Sequence, residues 1–364
     1  MMSTSRNSKP LKVLLIGPLP PPIGGSTVSF ERFLEHAIRI PELDVTHIDL
    51  PVHKLDADGQ PSGVSPIRTL GRGLAALRRF PAAERVVLFS SRGLAFSFGL
   101  VIIAFGRLVG RPVYLRLFGG RPYARAASRK SPLRRLTEKL LSYASGISLE
   151  TEVGRNDFPA QLRGLVKAVP GYRPRPDAAP RGSKDSARVR FAFAGRVDRS
   201  KGFDVLIKAA DLLASRLPVG SFQIDCYGPT SSGIEPQWRN HPTVNLMGLV
   251  DNQRYRSLLA SYDAFLYPSV YDNEGHPGAV IEAMLNGLPI VCTSLPAVGE
   301  IVSDGVEGLT VPSNDPESLA EAMIRIITDR ELRERLAAGS KARGLQFDEE
   351  VVIPRLLREM GLAD

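Results

Sequence analysis

Two carboxylates, Glu274 and Glu282, stand eight positions apart in the stretch YPSVYDNEGHPGAVIEAM, residues 267–284. The apolar run Ala264-Phe265-Leu266 before it reads as a buried strand. A helix follows, with Pro277 suited to its first position and Gly287 and Pro289 supplying the stop. Glu274 then falls in the loop ahead of the helix and Glu282 on its second turn. The first turn offers unpaired N–H groups at the positive end of the helix dipole, which suits a phosphate. Gly278 removes a side chain where a ligand would approach closely. Such a site would hold an anion on the helix tip and hydroxyls on the carboxylates, the pattern of groups in a nucleotide-sugar. Alone, the pair is weak, because a Glu on a helix ordinarily lines a solvated face.

A second pair of groups strengthens it. Arg196 and Lys201 lie in the Gly-flanked loop GRVDRSKG, directly after the apolar run VRFAFA. Cations there sit at the carboxyl edge of a parallel sheet, where α/β proteins bind ligands. A diphosphate leaving group gathers negative charge as its glycosidic bond breaks, and Arg and Lys can clamp that charge. An isolated Arg/Lys pair is ordinarily surface charge; the downstream Glu segment changes the balance.

The elements needed to carry these groups are legible along the chain. The run LKVLLI at 11–16 reads as a buried strand, followed by the loop GPLPPPIGGS and a helix over 27–37. That loop is neither G-x-G-x-x-G nor a P-loop, but Gly24-Gly25 ahead of a helix lets N–H groups face an anion. Strand-like runs at 44–50, 85–90 and 112–118 alternate with helical stretches, which predicts a doubly wound parallel sheet. Residues 51–66 read as a mobile loop, and the charge-free stretch 93–106 as a buried or partly interfacial helix, too short to span a bilayer. Residues 173–187, RPRPDAAPRGSKDSA, have the composition of an interdomain linker. A second α/β series starts at 189, and its helix over 316–328 begins after a good cap at Asp315.

The order Pro268-Ser269, Glu274-Gly275, Glu282-Ala283-Met284, Gly287-Leu288-Pro289 and Ile290-Val291-Cys292, with the G-R-x-x-x-x-K-G loop, resembles the nucleotide-sugar site of retaining glycosyltransferases of family 4. The similarity is clearest over roughly residues 189–330. It implies a GT-B fold, α/β with two Rossmann-like domains facing across a cleft. The expected parts are an acceptor-binding domain over 1–172, a nucleotide-sugar-binding domain over 173–345, and a helix over 346–364 returning to the first domain. It implies Arg196, Lys201 and Glu274 as catalytic residues and Glu282 on the ribose hydroxyls. Gly24, Gly25, Gly195, Gly275, Gly278, Ala279 and Val280 would lie along sugar and phosphates, and Gly228 and Leu249 near the base. No cofactor beyond the donor and no metal are implied, since the cations and the helix dipole take the metal's place.

Three departures stand out. Relatives commonly carry a His at the end of a first-domain strand, whereas here Leu115-Arg116-Leu117-Phe118-Gly119-Gly120 occupies the comparable run and no His occurs between His53 and His241. Arg116, Gly119, Gly120 and Glu150 are therefore expected on the acceptor side. His276 replaces an aromatic after Glu-Gly, where a donor contact and a turn or cap role both stay open. Leu295-Pro296-Ala297-Val298-Gly299-Glu300 replaces a Gly-Gly ahead of the later Glu, which puts donor-sugar preference in question.

Composition bounds the rest. A chain of 364 residues fits two domains. Cys226 and Cys292 each lie in an apolar run and form no disulfide framework, which suits a reducing compartment. Residues 1–9 are polar and read as a disordered start without a secretory signal. The net charge of +9 is uneven: residues 1–170 carry 25 Lys and Arg against 12 Asp and Glu. Such a first half calls for an acidic partner. In 121–144 the cations Arg121, Arg125, Arg129, Lys130, Arg134 and Arg135 accompany leucines at helical spacing. That face suits anionic lipid, although a core-packed helix with a solvated basic face fits as well. Nucleic acid is disfavoured, because stacking aromatics and a recognised module are lacking. The expectation is a cytoplasmic enzyme, peripheral on the inner membrane face, moving sugar from a nucleoside-diphosphate sugar to a glycan or lipid-linked acceptor. Its rivals are an enzyme of the same fold with a soluble acceptor and a catalytically silent GT-B scaffold subunit.

Overall fold

The computed structural model describes residues 9–21, 23–50, 54–55, 61–62, 66–124, 128, 131–176, 188–231 and 235–363. The expectations for residues 1–8, for most of 51–65, for linker residues 177–187, and for Arg125, Arg129 and Lys130 lie outside them.

In the first half, strands β1 (Leu11–Gly17), β2 (Leu43–Asp49), a two-residue hairpin β3 (Lys54–Leu55) and β4 (Pro61–Ser62), β5 (Arg85–Ser91), β6 (Val113–Phe118), β7 (Gly146–Leu149) and β8 (Val166–Ala168) occur in order. Helices α1 (Gly25–Ile38), α2 (Pro66–Arg79), α3 (Arg92–Ala95), α4 (Phe98–Val109), α5 (Ser131–Leu141), α6 (Glu152–Asn156) and α7 (Ala160–Arg163) fall between and after them. Apart from the hairpin the strands form one parallel sheet, β2-β1-β5-β6-β7-β8. Residues 13–16 of β1 are buried on both faces, as a parallel strand covered by helices must be.

The second half repeats the plan. Strands β9 (Val189–Ala194), β10 (Phe222–Tyr227), β11 (Val244–Gly248), β12 (Ala264–Tyr267), β13 (Ile290–Thr293) and β14 (Gly308–Val311) form a parallel sheet ordered β11-β10-β9-β12-β13-β14. Its helices are α8 (Phe203–Arg216), α9 (Asn252–Leu259), α10 (Gly278–Leu285), α11 (Pro316–Thr328) and α12 (Arg330–Gly344). Strand order reverses between β9 and β12 here, and between β1 and β5 in the first sheet. Those reversals open a crevice at the carboxyl ends of the central strands, the place where such sheets take ligands.

The last helix, α13 (Glu349–Glu359), leaves the second domain and packs on the first. Val352, Ile353, Leu356 and Leu357 share one buried cluster with Val13, Leu15, Phe30 and Phe33. Each such side chain taken out of water contributes roughly 1.5–3 kcal/mol, so the return is strongly held. Arg32 adds a polar tie, donating from Nε to Glu349 Oε2 at 2.7 Å.

The chain therefore crosses between domains twice, and the crossings touch. Arg173 N–H donates to Phe347 O at 3.0 Å, and Glu349 N–H donates to Arg173 O at 3.0 Å. Asp348, fully buried, caps α13 through the Glu350 N–H at 3.1 Å and pairs with Arg175.

Candidate functional site

The site is assembled at the carboxyl ends of strands in both sheets. Beyond β9, the turn over Arg199–Lys201 is capped by Asp198, whose Oδ1 accepts the Lys201 N–H at 3.1 Å. Gly202 closes it at φ 72°, and a Cβ there would lie 1.8 Å from Pro268 O. Glycine is required on both counts, because an L side chain is strained at that φ and has no room. The turn is thus pressed onto the start of the loop after β12, which brings Lys201 to Glu274.

Lys201 Nζ pairs with Glu274 Oε1, which also accepts the Ser269 hydroxyl at 2.9 Å. The ammonium stands 5.9 and 6.0 Å from the ring centres of Tyr267 and Tyr271. Arg196 is half exposed, donating to Ser200 Oγ at 3.1 Å with Asp198 Oδ2 3.4 Å away. Its guanidinium is more exposed than the Lys201 ammonium.

Pro277 stands just before α10 with extended backbone (ψ 118°), one place ahead of the expected first helical position. It still organises the start, because its carbonyl accepts the N–H groups of Val280 and Ile281 at 3.0 and 3.1 Å. Val280, expected to offer its backbone to sugar and phosphate, is instead engaged there, with its side chain in the core. The N–H groups of Gly278 and Ala279 have no partner among the described residues. They form the anion-facing tip.

A cavity of about 830 Å³ joins these parts between the domains. From the second domain Gly195, Arg196, Lys201, Gly228, Leu249, Glu274, Gly275, Gly278, Ala279 and Glu282 line it. From the first come Gly24, Gly25, Ser91, Gly119 and Glu150. Glu282 is buried at its inner wall. Burial raises its carboxyl above the ordinary range, and attraction to Arg173 and then Arg256 opposes that rise.

Two residues expected on the acceptor side are elsewhere. Arg116 is wholly buried and donates to Ser148 Oγ, Leu149 O, Val169 O and Pro170 O at 2.9, 3.2, 2.7 and 3.0 Å. It straps β6 and β7 to the segment leaving the first domain. Burial lowers its pKa, with Glu150 opposing. It does not line the cavity, its two terminal nitrogens being spent on these oxygens. Gly120 is an interdomain contact: its N–H donates to Asn273 O at 3.2 Å, and a Cβ would lie 1.8 Å from Glu274 O. Gly119 and Glu150 do face the cavity, joined by a Gly119 N–H to Glu150 Oε2 bond at 3.3 Å.

The remaining departures also have physical accounts. His276 lines the cavity with little exposure; its Nδ1 accepts the Gly171 N–H at 3.3 Å, and Nε2 lies 3.4 Å from Glu300 Oε2. That pattern places the ring proton on Nε2. Glu300 in turn accepts the N–H groups of Glu152 and Val153 at 2.9 and 2.8 Å, across the domain boundary. Burial works against its ionisation, yet hydrogen bonds from His276, Val153 and Glu152 hold its carboxyl below the usual range. Glu300 and His276 thus clasp the two domains.

Among the lining residues that escaped the sequence reading are Arg173, Tyr255 and Tyr267. Arg173 lies in a stretch whose composition reads only as linker. Tyr255 lies on α9 and Tyr267 ends β12; both line the cavity with buried hydroxyls that lack a hydrogen-bond partner among the described residues. A tyrosine at an apolar position carries no sign of such a role. The Asp-x-Asp triplet Asp56-Ala57-Asp58 lies outside the described residues.

Comparison with known proteins agrees with this geometry. Residues 188–329 match the family model described as Glycosyl transferases group 1. A D-inositol 3-phosphate glycosyltransferase of Salinispora arenicola is 29% identical over 184 residues, covering 47% of this chain and 41% of that protein. A phosphatidyl-myo-inositol mannosyltransferase of Mycolicibacterium smegmatis is 29% identical over 167 residues, covering 46% and 43%. The match thus spans less than half the length of these curated relatives. Over the whole fold, Anabaena Alr3699/HepE in complex with UDP superposes with a TM-score of 0.70 at 15% identity, covering 96% of this chain and 100% of that one. Sucrose-phosphate synthase from Thermosynechococcus elongatus gives 0.67 at 17%, covering 96% and 98%. The chain as a whole has the GT-B fold, and residues 188–329 resemble the group 1 glycosyl transferases.

Proposed function

We propose that this protein is a retaining glycosyltransferase of family 4. It moves a sugar from a nucleoside-diphosphate sugar to a glycan or lipid-linked acceptor without a metal. The observation that carries this reading is the convergence of Lys201, Glu274, Glu282 and the open tip of α10 on one interdomain cavity. Uridine diphosphate is the first nucleotide to test, because the Anabaena neighbour is described in complex with UDP.

In this reading the diphosphate lies on the Gly278 and Ala279 N–H groups, facing the Gly24-Gly25 loop. Lys201 and Arg196 stabilise the charge that grows on it, and Glu282 accepts the ribose hydroxyls. The bond from the anomeric carbon to the phosphate oxygen breaks, and the acceptor oxygen bonds that carbon from the same face. The acceptor proton passes to the departing phosphate oxygen, so no first-domain His is required. Glu274 leaves its pairing with Lys201 to meet the donor sugar. Removing one such electrostatic group typically costs about 10²–10³ in rate.

The acceptor would enter from the first domain, past Gly119 and Glu150. Membrane docking is part of the proposal. On neighbouring helices α4 and α5, Val101, Leu108, Leu133 and Leu136 are exposed beside the exposed cations Arg107, Arg134 and Arg135. Such a face suits the anionic inner surface of a membrane. No helix among the described residues is long and apolar enough to cross one.

Turnover of a panel of nucleotide-sugars by the purified protein, with product anomers read by NMR, tests the reaction. An inverted product would overturn retention. Nucleotide binding without turnover, with or without lipid acceptor, would favour the silent scaffold instead.

A further inference from the structure

Arg173 enters the cleft from the crossing between the domains, not from either strand-end motif. Its side chain is only 6% exposed, and its fork is spread over three elements. Nη1 donates to Ser29 Oγ at 2.9 Å and to Tyr172 O at 2.7 Å. Nη2 reaches Gly25 O at 3.4 Å, on the first turn of α1. Nε lies 3.5 Å from Glu282 Oε1 on α10. Its main chain meanwhile bonds Phe347 and Glu349, where the chain returns into α13.

The guanidinium also lies against Gly278 at the start of α10, since a Cβ there would lie 1.8 Å from Nη2. That is the physical demand for glycine at this position. A cation at the positive end of a helix is disfavoured by the dipole. Here the Glu282 carboxylate and three oxygen acceptors offset it, and an anion arriving at the tip would meet guanidinium and N–H groups together.

We propose that Arg173 is a positioning residue that couples donor binding to domain closure. It holds the Glu282 carboxylate ready for ribose hydroxyls and, through Ser29 and Gly25, draws α1 of the first domain onto the same nucleoside diphosphate. This rests on reading the cleft as a nucleoside-diphosphate-sugar site. The ionisable groups facing Glu282 are Arg173 from the crossing and Arg256 and Tyr255 from α9. With Arg173 gone, the Glu282 carboxyl rises further. Binding that needs the carboxylate is then lost at a higher pH on acidification.

The test is calorimetry of the full chain with UDP, GDP, ADP and inorganic pyrophosphate between about pH 5 and 8, with the radius of gyration measured by X-ray scattering in the same solutions. Arg173→Gln is expected to weaken nucleoside-diphosphate binding at least about tenfold, to move its acid limb to higher pH, and to abolish ligand-induced compaction. Arg173→Lys, which keeps the charge but not the fork, is expected to restore the acid limb and not the compaction. Ser29→Ala removes the shorter of the two ties to α1 and should keep the acid limb while weakening compaction, so the proposal stays testable if Arg173→Gln fails to fold. Wild-type affinity and compaction in Arg173→Gln, or in the other two variants, would overturn the coupling. A wild-type protein that binds pyrophosphate alone, or none of the four, overturns the donor-site reading and the coupling with it.

Discussion

Lys201 and Glu274, 73 positions apart, share a hydrogen bond at the floor of the interdomain cavity. The cation assigned to the leaving phosphate and the carboxylate assigned to the sugar therefore hold each other in place. Both groups are mostly buried, so the pairing is shielded from salt more than a surface pair would be.

Lys201→Ala is expected to cut transfer by about 10²–10³, as is Glu282→Ala, with circular dichroism and the melting curve showing a folded protein. Turnover close to wild type in either variant, measured by release of nucleoside diphosphate, would remove that residue from its assigned role.

Arg116 makes the opposite prediction. Truncation to Ala leaves four oxygen acceptors without their donor beneath β6 and β7. The expected loss of stability is at least about 1–3 kcal/mol, read from the urea midpoint. Turnover per folded molecule should persist. A variant of ordinary stability that has lost turnover would return Arg116 to the chemistry.

The clasp through Glu300 gives a pH dependence. Its carboxyl is held below the ordinary range in the folded protein, so its stabilising contribution is present above the unfolded value and is lost as pH falls through the folded one. Glu300→Gln should therefore melt lower than wild type near pH 7, with the gap closing below about pH 4. A gap of constant size across that range would show that Glu300 acts without its charge.

The exposed face of α4 and α5 is tested with lipid. Changing Arg107, Arg134 and Arg135 together to Gln should release the protein from vesicles rich in phosphatidylglycerol, at about 1 kcal/mol for each cation near the surface. Unchanged co-sedimentation would leave these residues as a solvated basic face.

Much of the candidate site is local in origin, which is why it is legible in the chain. Arg196 and Lys201 follow a strand within one short turn, and Glu274 and Glu282 bracket the start of one helix. Spacing along the chain then translates directly into position, because strand, turn and helix each have a fixed rise. The doubly wound sheets follow for the same reason, from apolar runs alternating with helical patterns. Arg116, Gly120, Val280 and Arg173 mark where that reading stops. Arg116 and Val280 depend on what surrounds a strand or a first helical turn, and a charge or an N–H can be used up there before a ligand meets it. Arg173 and Glu300 find their partners 144 and 148 positions away. Bonds of that span form only once two sheets have folded and the last helix has crossed back, so no neighbourhood in the chain carries their trace.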